Sequence, residues 1–220
     1  MTHASVKGYK GLGMEGPVAR WYAATTLKDL KEHQNLARRV ASGLAAGAKV
    51  LEVAPGPGYF AIELAKLGGD VTGLDISHTF VEIARRNAAE AGVKAQFEHG
   101  NASNMPFAGS SFDFLLCRAA FKNFSEPVKA LEEMHRVLKT GGKAMIIDLR
   151  RDARPEAINQ YVDGLQLSWP STLSTKMAFR FMLLKRAYTK NDFERMISQT
   201  PFRKFDIRED LVGMEITLEK

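Results

Sequence analysis

The chain has 220 residues, of which 45% are hydrophobic and 25% are charged, and its formal net charge is +6. This length predicts one domain with a sizeable core. No apolar run reaches the about 18 residues that a membrane span needs, and the first residues carry no hydrophobic segment, so we expect neither a membrane span nor a secretory signal. Cys117 is the single cysteine, which excludes an internal disulfide and favours a cytoplasmic location. The histidines lack ligand spacing, so no metal site is predicted.

The positive charge is concentrated at the start of the chain, where residues 1–49 hold eight Lys and Arg against three acids. Several of these basic residues fall in a predicted helix whose apolar contacts come from three leucines. The basic residues are Lys28, Lys31, Arg38 and Arg39, and the leucines are Leu27, Leu30 and Leu36. We interpret the charges as a solvated helix face, with an acidic substrate as the alternative. No base-stacking aromatic motif accompanies them, so a nucleic-acid partner is not expected.

A strand, a glycine turn and a helix follow one another between residues 48 and 67. The β-branched run at 48–54 predicts a buried strand, and the periodicity of 59–67 predicts a helix. Gly56 and Gly58 allow a tight turn that brings the backbone close to a ligand, with the free N–H groups of the helix facing it. A second strand at 70–75 ends in Asp75, a carboxylate suited to bind the hydroxyls of a ribose. Together these features predict a pocket for an adenosine-containing cofactor.

Two cofactor classes fit this pattern. Gly56, Gly58 and Ala61, with an acid about twenty residues on, satisfy a relaxed dinucleotide motif. Glu52 favours the other class, because the stretch from Glu52 to Gly58 resembles the first motif of the class I S-adenosylmethionine-dependent methyltransferases, an acid followed closely by a Gly-x-Gly turn. That family usually has a third glycine where this chain has Phe60, which indicates a slightly different turn.

The resemblance continues through three later segments in the family's order. Residues 98–107 are similar to its adenine-binding loop, with Asn101 where the family usually carries Asp. Residues 111–118 are similar to the fourth strand and its exit, and 132–143 to the helix and turn before a fifth strand at 144–148. The chain is thereby identified as a member of this family, similar to the UbiE-like subgroup that modifies quinones, sterols and secondary metabolites. The resemblance implies S-adenosylmethionine as the cofactor.

The remaining patterns complete the predicted fold. Further strands are predicted near 94–98, 112–117, 202–208 and 214–218, and further helices near 78–91, 126–138 and from Thr189 onward. Regular alternation of strands and helices implies a parallel sheet covered on both faces. With the resemblance, the fold class is α/β: a Rossmann-like doubly wound sheet, mostly parallel, with an antiparallel last strand.

We expect a single domain over residues 1–220, made of four parts. Residues 1–47 are a helical cap, 48–149 the cofactor-binding core, 150–188 an insertion, and 189–220 a helix followed by a β-hairpin. The insertion leaves the sheet at the edge where parallel α/β proteins bind ligands.

The insertion has its own pattern. It begins like a helix at 157–165, and Trp169-Pro170-Ser171 is predicted to break that helix. A lid over the substrate and an ordinary helical pair completing the core both fit this pattern.

The resemblance implies roles for the residues around the cofactor. Asp75 is expected to hold the ribose, and Glu52 to organise the turn or the donor's amino group. Ile76, Met105 and Phe107 are candidates to flank the adenine. The expected cofactor-binding residues are Glu52, Ala54, Gly56, Gly58, Asp75, Ile76, Asn101, Ala102 and Cys117.

No motif identifies the catalytic residues. The candidates are Arg118 and Lys122, which follow the fourth strand, and Tyr161 in the insertion. A cation after the fourth strand favours a neutral or anionic acceptor. Aromatic candidates for the acceptor site are Tyr9, Tyr22, Tyr161 and Trp169. The histidines His78, His99 and His135 are expected to be structural.

Three functions remain open from the sequence. The first is methyl transfer to a small molecule such as a quinone, phenol, thiol or amine. The second is methylation of RNA or protein, although Cys117 to Phe121 stand where amino-group enzymes carry an Asn/Asp-Pro-Pro-aromatic tetrad. The third is an NAD(P)-dependent oxidoreductase, which would need a proton donor such as a Tyr-x-x-x-Lys pair after the fourth strand, and none follows there.

Overall fold

The computed structural model describes residues 8–10, 13–165, 169–179 and 183–220. Strands and helices alternate along most of the chain, at positions close to those the sequence predicts. The strands are β1 (Lys49–Val53), β2 (Asp70–Asp75), β3 (Ala95–His99), β4 (Phe112–Arg118), β5 (Leu138–Leu149), β6 (Lys204–Glu209) and β7 (Gly213–Glu219). The helices are α1 (Gly16–Thr26), α2 (Leu30–Ser42), α3 (Tyr59–Lys66), α4 (His78–Glu90), α5 (Pro127–Val137), α6 (Pro155–Gly164), α7 (Trp169–Ala178), α8 (Leu184–Arg186) and α9 (Lys190–Ile197). Short 3₁₀ turns cover Leu27–Asp29 and Phe121–Asn123.

The strands form one sheet in the order β3-β2-β1-β4-β5-β7-β6. Strands β1 to β5 pair in parallel, whereas β7 pairs antiparallel with both β5 and β6. The predicted α/β fold with an antiparallel last strand is therefore confirmed. The direction of winding reverses between β1 and β4, and ligands of such sheets bind outside the carboxyl ends of the strands at this point.

Side chains that alternate along the central strands supply the core on both faces of the sheet. On β1, Leu51 and Val53 pack into one cluster and Val50 into the other. On β4, Cys117 belongs to the first cluster and Leu116 to the second. All are essentially inaccessible to solvent, as expected for strands that are covered on both faces.

Two predicted helix starts are confirmed by their hydrogen bonds. The Ser77 hydroxyl accepts from the Phe80 N–H at 3.0 Å and begins α4. The Thr189 hydroxyl accepts from the Asp192 N–H at 3.2 Å in a capping box that begins α9. Such caps satisfy N–H groups that have no partner within the helix.

Several local expectations were wrong. Leu27 is 53% exposed, because it lies in the 3₁₀ turn between α1 and α2 and not on an apolar helix face. Strand β5 begins at Leu138, directly after α5, so the turn expected before the fifth strand lies within the strand, as an irregularity in its pairing with β4 where Gly141 has φ of 78°. Trp169-Pro170-Ser171 begins α7, because the first turn of a helix tolerates proline, whose missing N–H would have no partner there.

Among the described residues, no helix has the length and apolar character required to cross a bilayer. Nor does any group of three or more His, Cys, Asp or Glu side chains within the described ranges have the arrangement of a metal site.

Candidate functional site

A cavity of about 1360 Å³ lies at the carboxyl ends of β1, β2, β4 and β5. Helix α1, the first described residues and parts of the segment 150–188 also contribute to its wall. Pockets for a single ligand typically measure about 300–1,000 Å³. This cavity therefore has room for a cofactor and a second small molecule side by side.

The turn after β1 forms one end of the cavity. Ala54 and Gly56 lie on the cavity surface, and both have left-handed backbone conformations, with φ of 58° and 56°. An added Cβ on Gly56 would meet no atom within 4 Å, so this position is open to a ligand. For Ala54, which has a Cβ, the left-handed conformation is sterically strained. Backbone strain of this kind is frequent at functional sites.

Gly58 has a different role from the one expected of it. It is absent from the cavity wall, and a Cβ there would lie 2.9 Å from the Phe97 ring and 3.0 Å from the Ala84 Cβ. With φ of 79°, it lets α3 begin where it packs closely against β3 and α4. These contacts give Gly58 a packing role, and its expected contact with the cofactor stays a prediction.

Asp75 ties the end of β2 to the glycine turn. Its carboxylate accepts from the Gly56 N–H at 3.0 Å and from the Ser77 N–H at 2.9 Å. Burial raises the pKa of Asp75 to about 6, although these backbone hydrogen bonds oppose the shift. Each carboxylate oxygen keeps a second lone pair, so the group can still accept from a ligand's hydroxyls.

Glu52 is the second buried carboxylate of this end, and it is 4% exposed. It accepts from the Ala61 N–H at 3.1 Å, in the first turn of α3. Burial raises the pKa of Glu52 to about 8, against the hydrogen bond from Ala61 and the positive charge of Arg118. Two desolvated carboxylates on one cavity wall fit a positively charged ligand such as a sulfonium.

The loop after β3 and the start of the chain meet beside this turn. Ile76, Asn101 and Ala102 line the cavity. The Asn101 Oδ1 accepts from the Ser103 N–H at 2.9 Å, so this oxygen is already engaged within the loop. A Cβ on Gly8 would lie 2.6 Å from the Asn101 Nδ2 and 2.8 Å from the Ile76 Cδ1. The N-terminal segment is therefore packed directly onto the predicted adenine loop.

Some residues predicted to lie at the cofactor are elsewhere. Met105 is buried in the core, and the Phe107 ring packs edge-on against Phe112 at 5.1 Å between centroids. Neither residue lines the cavity. Cys117 is fully buried in the core cluster on one face of the sheet and is also absent from the cavity wall. Burial raises the pKa of the Cys117 thiol well above its ordinary value.

The N-terminal segment is anchored at both sides of the cavity, which the sequence did not reveal. The Glu15 carboxylate accepts from the His78 N–H at 2.9 Å and from the Thr79 N–H at 3.0 Å, at the start of α4. On the other side, the Lys10 N–H donates to the Asn123 carbonyl at 2.7 Å. A carboxylate at a helix N-terminus is favourable electrostatically, and Glu15 thereby holds α1 over the cavity.

The other end of the cavity contains the predicted catalytic candidates. Arg118 donates to the Glu32 carboxylate at 2.7 Å, and its Nη1 lies 3.3 Å from the His33 Nε2. Lys122 donates to the Asp148 carboxylate at 2.7 Å. Each of these two cations is therefore paired with a carboxylate, and the preference for a neutral or anionic acceptor stays a prediction.

Helix α2 also brings a histidine that the sequence analysis missed. His33 lines the cavity, and its ring packs edge-on against Tyr59. Burial and the positive charge of Arg118 lower the pKa of His33 to about 4, so the ring is neutral at physiological pH. The sequence did not indicate a role for His33 in the site, because only the packing of α2 brings this residue to the cavity.

Three of the four aromatic candidates are on the cavity wall. Tyr9, Tyr22 and Tyr161 line it, and burial raises the pKa of each hydroxyl. Trp169, at the start of α7, is 79% exposed and does not line it. His78 and His99 stack on each other at 3.6 Å between centroids, and His135 packs against Phe202.

Similarity to known proteins defines the class to which this site belongs. Residues 51–146 match a family described as a methyltransferase domain. Over these residues the chain is similar to the S-adenosylmethionine-dependent methyltransferases, in agreement with its sheet order and with the cavity at its switch point. The open Gly56 position and the two buried carboxylates fit this cofactor, which carries its methyl group on a positively charged sulfur.

Two relatives and one solved structure show which methyltransferases the chain is similar to. The chain is 35% identical over 102 residues to the demethylmenaquinone methyltransferase of Deinococcus radiodurans, covering 46% of this chain and 42% of that protein. It is 38% identical over 109 residues to the ubiquinone/menaquinone biosynthesis C-methyltransferase UbiE of Bdellovibrio bacteriovorus, covering 49% and 46%. The chain thus spans less than half the length of these two relatives. A SAM-dependent methyltransferase structure from Aquifex aeolicus superposes with a TM-score of 0.63 at 18% identity, covering 86% of this chain and 97% of that one.

Proposed function

We propose that the protein transfers a methyl group from S-adenosylmethionine to a small-molecule acceptor of the quinone, phenol, thiol or amine type. The observation that carries this proposal is the single continuous cavity, which has buried carboxylates at one end and tyrosines with paired charges at the other. The names of the two curated relatives, which are quinone methyltransferases, support an aromatic acceptor.

The residues of the donor end are proposed to bind and orient the cofactor. When bound, S-adenosylmethionine supplies an electrophilic methyl group. Asp75 accepts from the ribose hydroxyls, Glu52 balances the positive charge, and Gly56 leaves space for the methionine portion. Ile76, Asn101 and Ala102 are proposed to surround the adenine.

The acceptor end is proposed to align the second molecule and exclude water, which contributes much of the acceleration of a displacement reaction. Tyr22 from α1, Tyr161 from α6 and Arg118 from β4 face this space. We propose that the described residues of the segment 150–188 cover the acceptor, supported by the presence of Tyr161 and Leu183 in the cavity wall. A cytoplasmic location is also proposed, and cell fractionation tests it.

Calorimetric titration with S-adenosylmethionine, S-adenosylhomocysteine, NADH and NADPH tests the cofactor. We expect micromolar binding of the two sulfur compounds alone, followed by transfer of labelled methyl groups to a panel of quinols, phenols, thiols and amines. Binding of a nicotinamide cofactor alone would overturn the proposal. Transfer to RNA or protein, with no transfer to any small molecule, would assign the domain to macromolecular substrates.

A further inference from the structure

A buried ion pair joins the carboxyl ends of β4 and β5 at the acceptor end of the cavity. The Lys122 Nζ donates to the Asp148 Oδ1 at 2.7 Å and to the Ala119 carbonyl at 2.6 Å. Asp148 also accepts from the N–H groups of Lys122 at 2.9 Å and Leu149 at 2.8 Å. Lys122 is 7% exposed and Asp148 is 5% exposed, and both line the cavity.

Stabilisation of the fold alone does not explain why a lysine–aspartate pair is buried here. A buried ion pair often stabilises a protein no better than apolar side chains of the same volume, because both charges lose their hydration. Here the pair also coincides with backbone strain, since Ala119 has φ of 57° and is held by the Lys122 ammonium and by its own N–H bond to Ile147 at 2.7 Å. Strained backbone and desolvated charge together are typical of functional sites.

The ammonium group retains hydrogen-bonding capacity toward the cavity. An ammonium has three N–H donors, and the described part of the chain supplies Asp148 and Ala119 as its acceptors. The Asp148 carboxylate is held in place by three N–H donors, two on Oδ1 and one on Oδ2. Charged and titratable groups that also line the cavity include Arg118 on β4, which is paired with Glu32, His33 on α2, Tyr22 on α1 and Tyr161 on α6.

We propose that Lys122 is a catalytic residue whose third N–H binds the acceptor's oxygen and holds it as an oxyanion, and that Asp148 is a positioning residue for Lys122. The acceptor class is then a hydroxylated aromatic ring, a phenol or a quinol. This inference rests on the proposed methyltransferase function and narrows its substrate.

The step balances without a further reactant. The acceptor O–H ionises and its proton leaves to solvent through the cavity mouth, while the Lys122 ammonium compensates the negative charge on the oxygen. The oxygen, or the ring carbon that its charge activates, forms a bond to the methyl carbon as the carbon–sulfur bond breaks. The bonding electrons go to sulfur, which becomes neutral. A carbon nucleophile subsequently loses its ring proton to solvent.

Binding of 4-nitrophenol to the S-adenosylhomocysteine complex tests the proposal without turnover, because the absorbance of this phenol reports its ionisation. Lys122→Met alone leaves Asp148 buried and unpaired and can prevent folding. The test variant is therefore Lys122→Met/Asp148→Leu, which removes both charges. The matched control is Lys139→Met/Asp113→Leu, which removes a lysine–aspartate pair at the opposite end of the same two strands, outside the cavity.

We expect the pKa of bound 4-nitrophenol to rise by about one unit or more in the test variant, because an opposite charge at close range lowers a pKa by about 1–3 units. The control should leave it unchanged, and Lys122→Arg should retain most of the shift. Turnover of a phenolic acceptor should fall by about 10²-fold in the test variant, as on loss of an oxyanion donor.

Three results would overturn the proposal. They are an unchanged pKa in a test variant that still binds S-adenosylhomocysteine, an equal shift in the control, and a parent protein that does not bind 4-nitrophenol. Failure of the methyltransferase function is a separate outcome: the parent would then bind the phenol but transfer a methyl group to no small molecule.

Discussion

The two ends of the cavity are built in different ways. At the donor end, Asp75 and Glu52 are held by backbone N–H groups that lie within 20 residues of them in the chain. At the acceptor end, carboxylates pair with cationic side chains from distant segments, and Arg118 and Glu32 are separated by 86 positions. The first arrangement is a property of one strand–turn–helix unit. The second depends on how several elements pack. Residues at the acceptor end can therefore be substituted without altering the backbone geometry of the donor end.

The largest effect is expected from Asp75→Ala, which should break the donor end and leave the acceptor end intact. Loss of charge-assisted hydrogen bonds to the ribose should weaken S-adenosylhomocysteine binding by about 10²-fold or more. Stability should also fall by about 1–3 kcal/mol, because the N–H groups of Gly56 and Ser77 lose their acceptor. Calorimetry and urea unfolding measure the two effects, with Asp70→Ala at the exposed start of β2 as the control. An unchanged affinity in a folded variant would show that the ribose lies elsewhere.

Arg118→Met tests the acceptor end in the same way. Its guanidinium group holds Glu32 and His33 in the cavity wall, so its loss should reduce kcat/KM for the acceptor by about 10-fold to 10²-fold. The affinity for S-adenosylhomocysteine should change by less than about threefold, which is within the context dependence of such contacts. Arg39→Met removes a comparable arginine–glutamate pair outside the cavity and is the control. Equal losses in turnover and donor affinity would place Arg118 in the donor site.

The difference between the two ends also explains what the sequence could predict. The order of motifs indicated the fold, and seven consecutive residues from Glu52 to Gly58 indicated the glycine turn, because the geometry there is local. Asp148 was missed although it ends the predicted fifth strand, at the edge of the sheet where ligands bind. His33 was missed, since it stands near no recognisable turn and reaches the cavity only through the packing of α2. Glu15 was missed for the same reason, as its partners at the start of α4 lie 63 and 64 positions along the chain.

The errors within the donor end have physical causes as well. Gly58 and Cys117 stand beside the motif residues in sequence, and adjacency on a strand or turn does not decide which way a side chain faces. Cys117 follows Leu116 onto the opposite face of β4 and enters the core. Gly58 is required by the close approach of Phe97 and Ala84.

Replacing Gly56 and Gly58 with alanine, one at a time, should distinguish the open, ligand-facing position from the packed one. Gly56→Ala places a methyl group in the open cavity, so donor affinity should fall by about tenfold through lost space. Gly58→Ala forces a contact with Phe97 and Ala84, so it should lower stability by about 1–3 kcal/mol more than Gly56→Ala does. Both variants carry the cost of alanine at positive φ, which makes each the control for the other. Calorimetry should show the larger loss of donor affinity in Gly56→Ala, and urea unfolding should show the larger loss of stability in Gly58→Ala.

The smallest effect concerns the pH dependence of the donor end. Burial raises the pKa of Glu52 to about 8, so the free protein holds this group largely protonated at neutral pH. A cationic donor favours the carboxylate, and binding therefore releases a proton. Affinity for S-adenosylmethionine should rise, by at most about tenfold per pH unit, as the pH increases toward 8. Glu52→Gln should flatten this dependence, whereas Glu63→Gln, at a buried glutamate that pairs with Lys66 outside the main cavity, should preserve it.

The stability of the free protein should change in the opposite direction. A carboxyl group whose pKa is higher in the folded than in the unfolded state stabilises the fold fully below its unfolded value, and that contribution is lost as the pH rises through the folded value. For Glu52, the free energy of unfolding should therefore decrease from about pH 4.5 to about pH 8. Urea unfolding with and without S-adenosylmethionine distinguishes the two effects: the free protein should lose stability over this range while the stabilisation by the donor grows. If the free energy of unfolding changed with pH in the same way for the parent and for Glu52→Gln, the Glu52 carboxyl group would already be ionised before the donor binds. The donor end would then resemble the acceptor end in holding its charged groups in their ionised form.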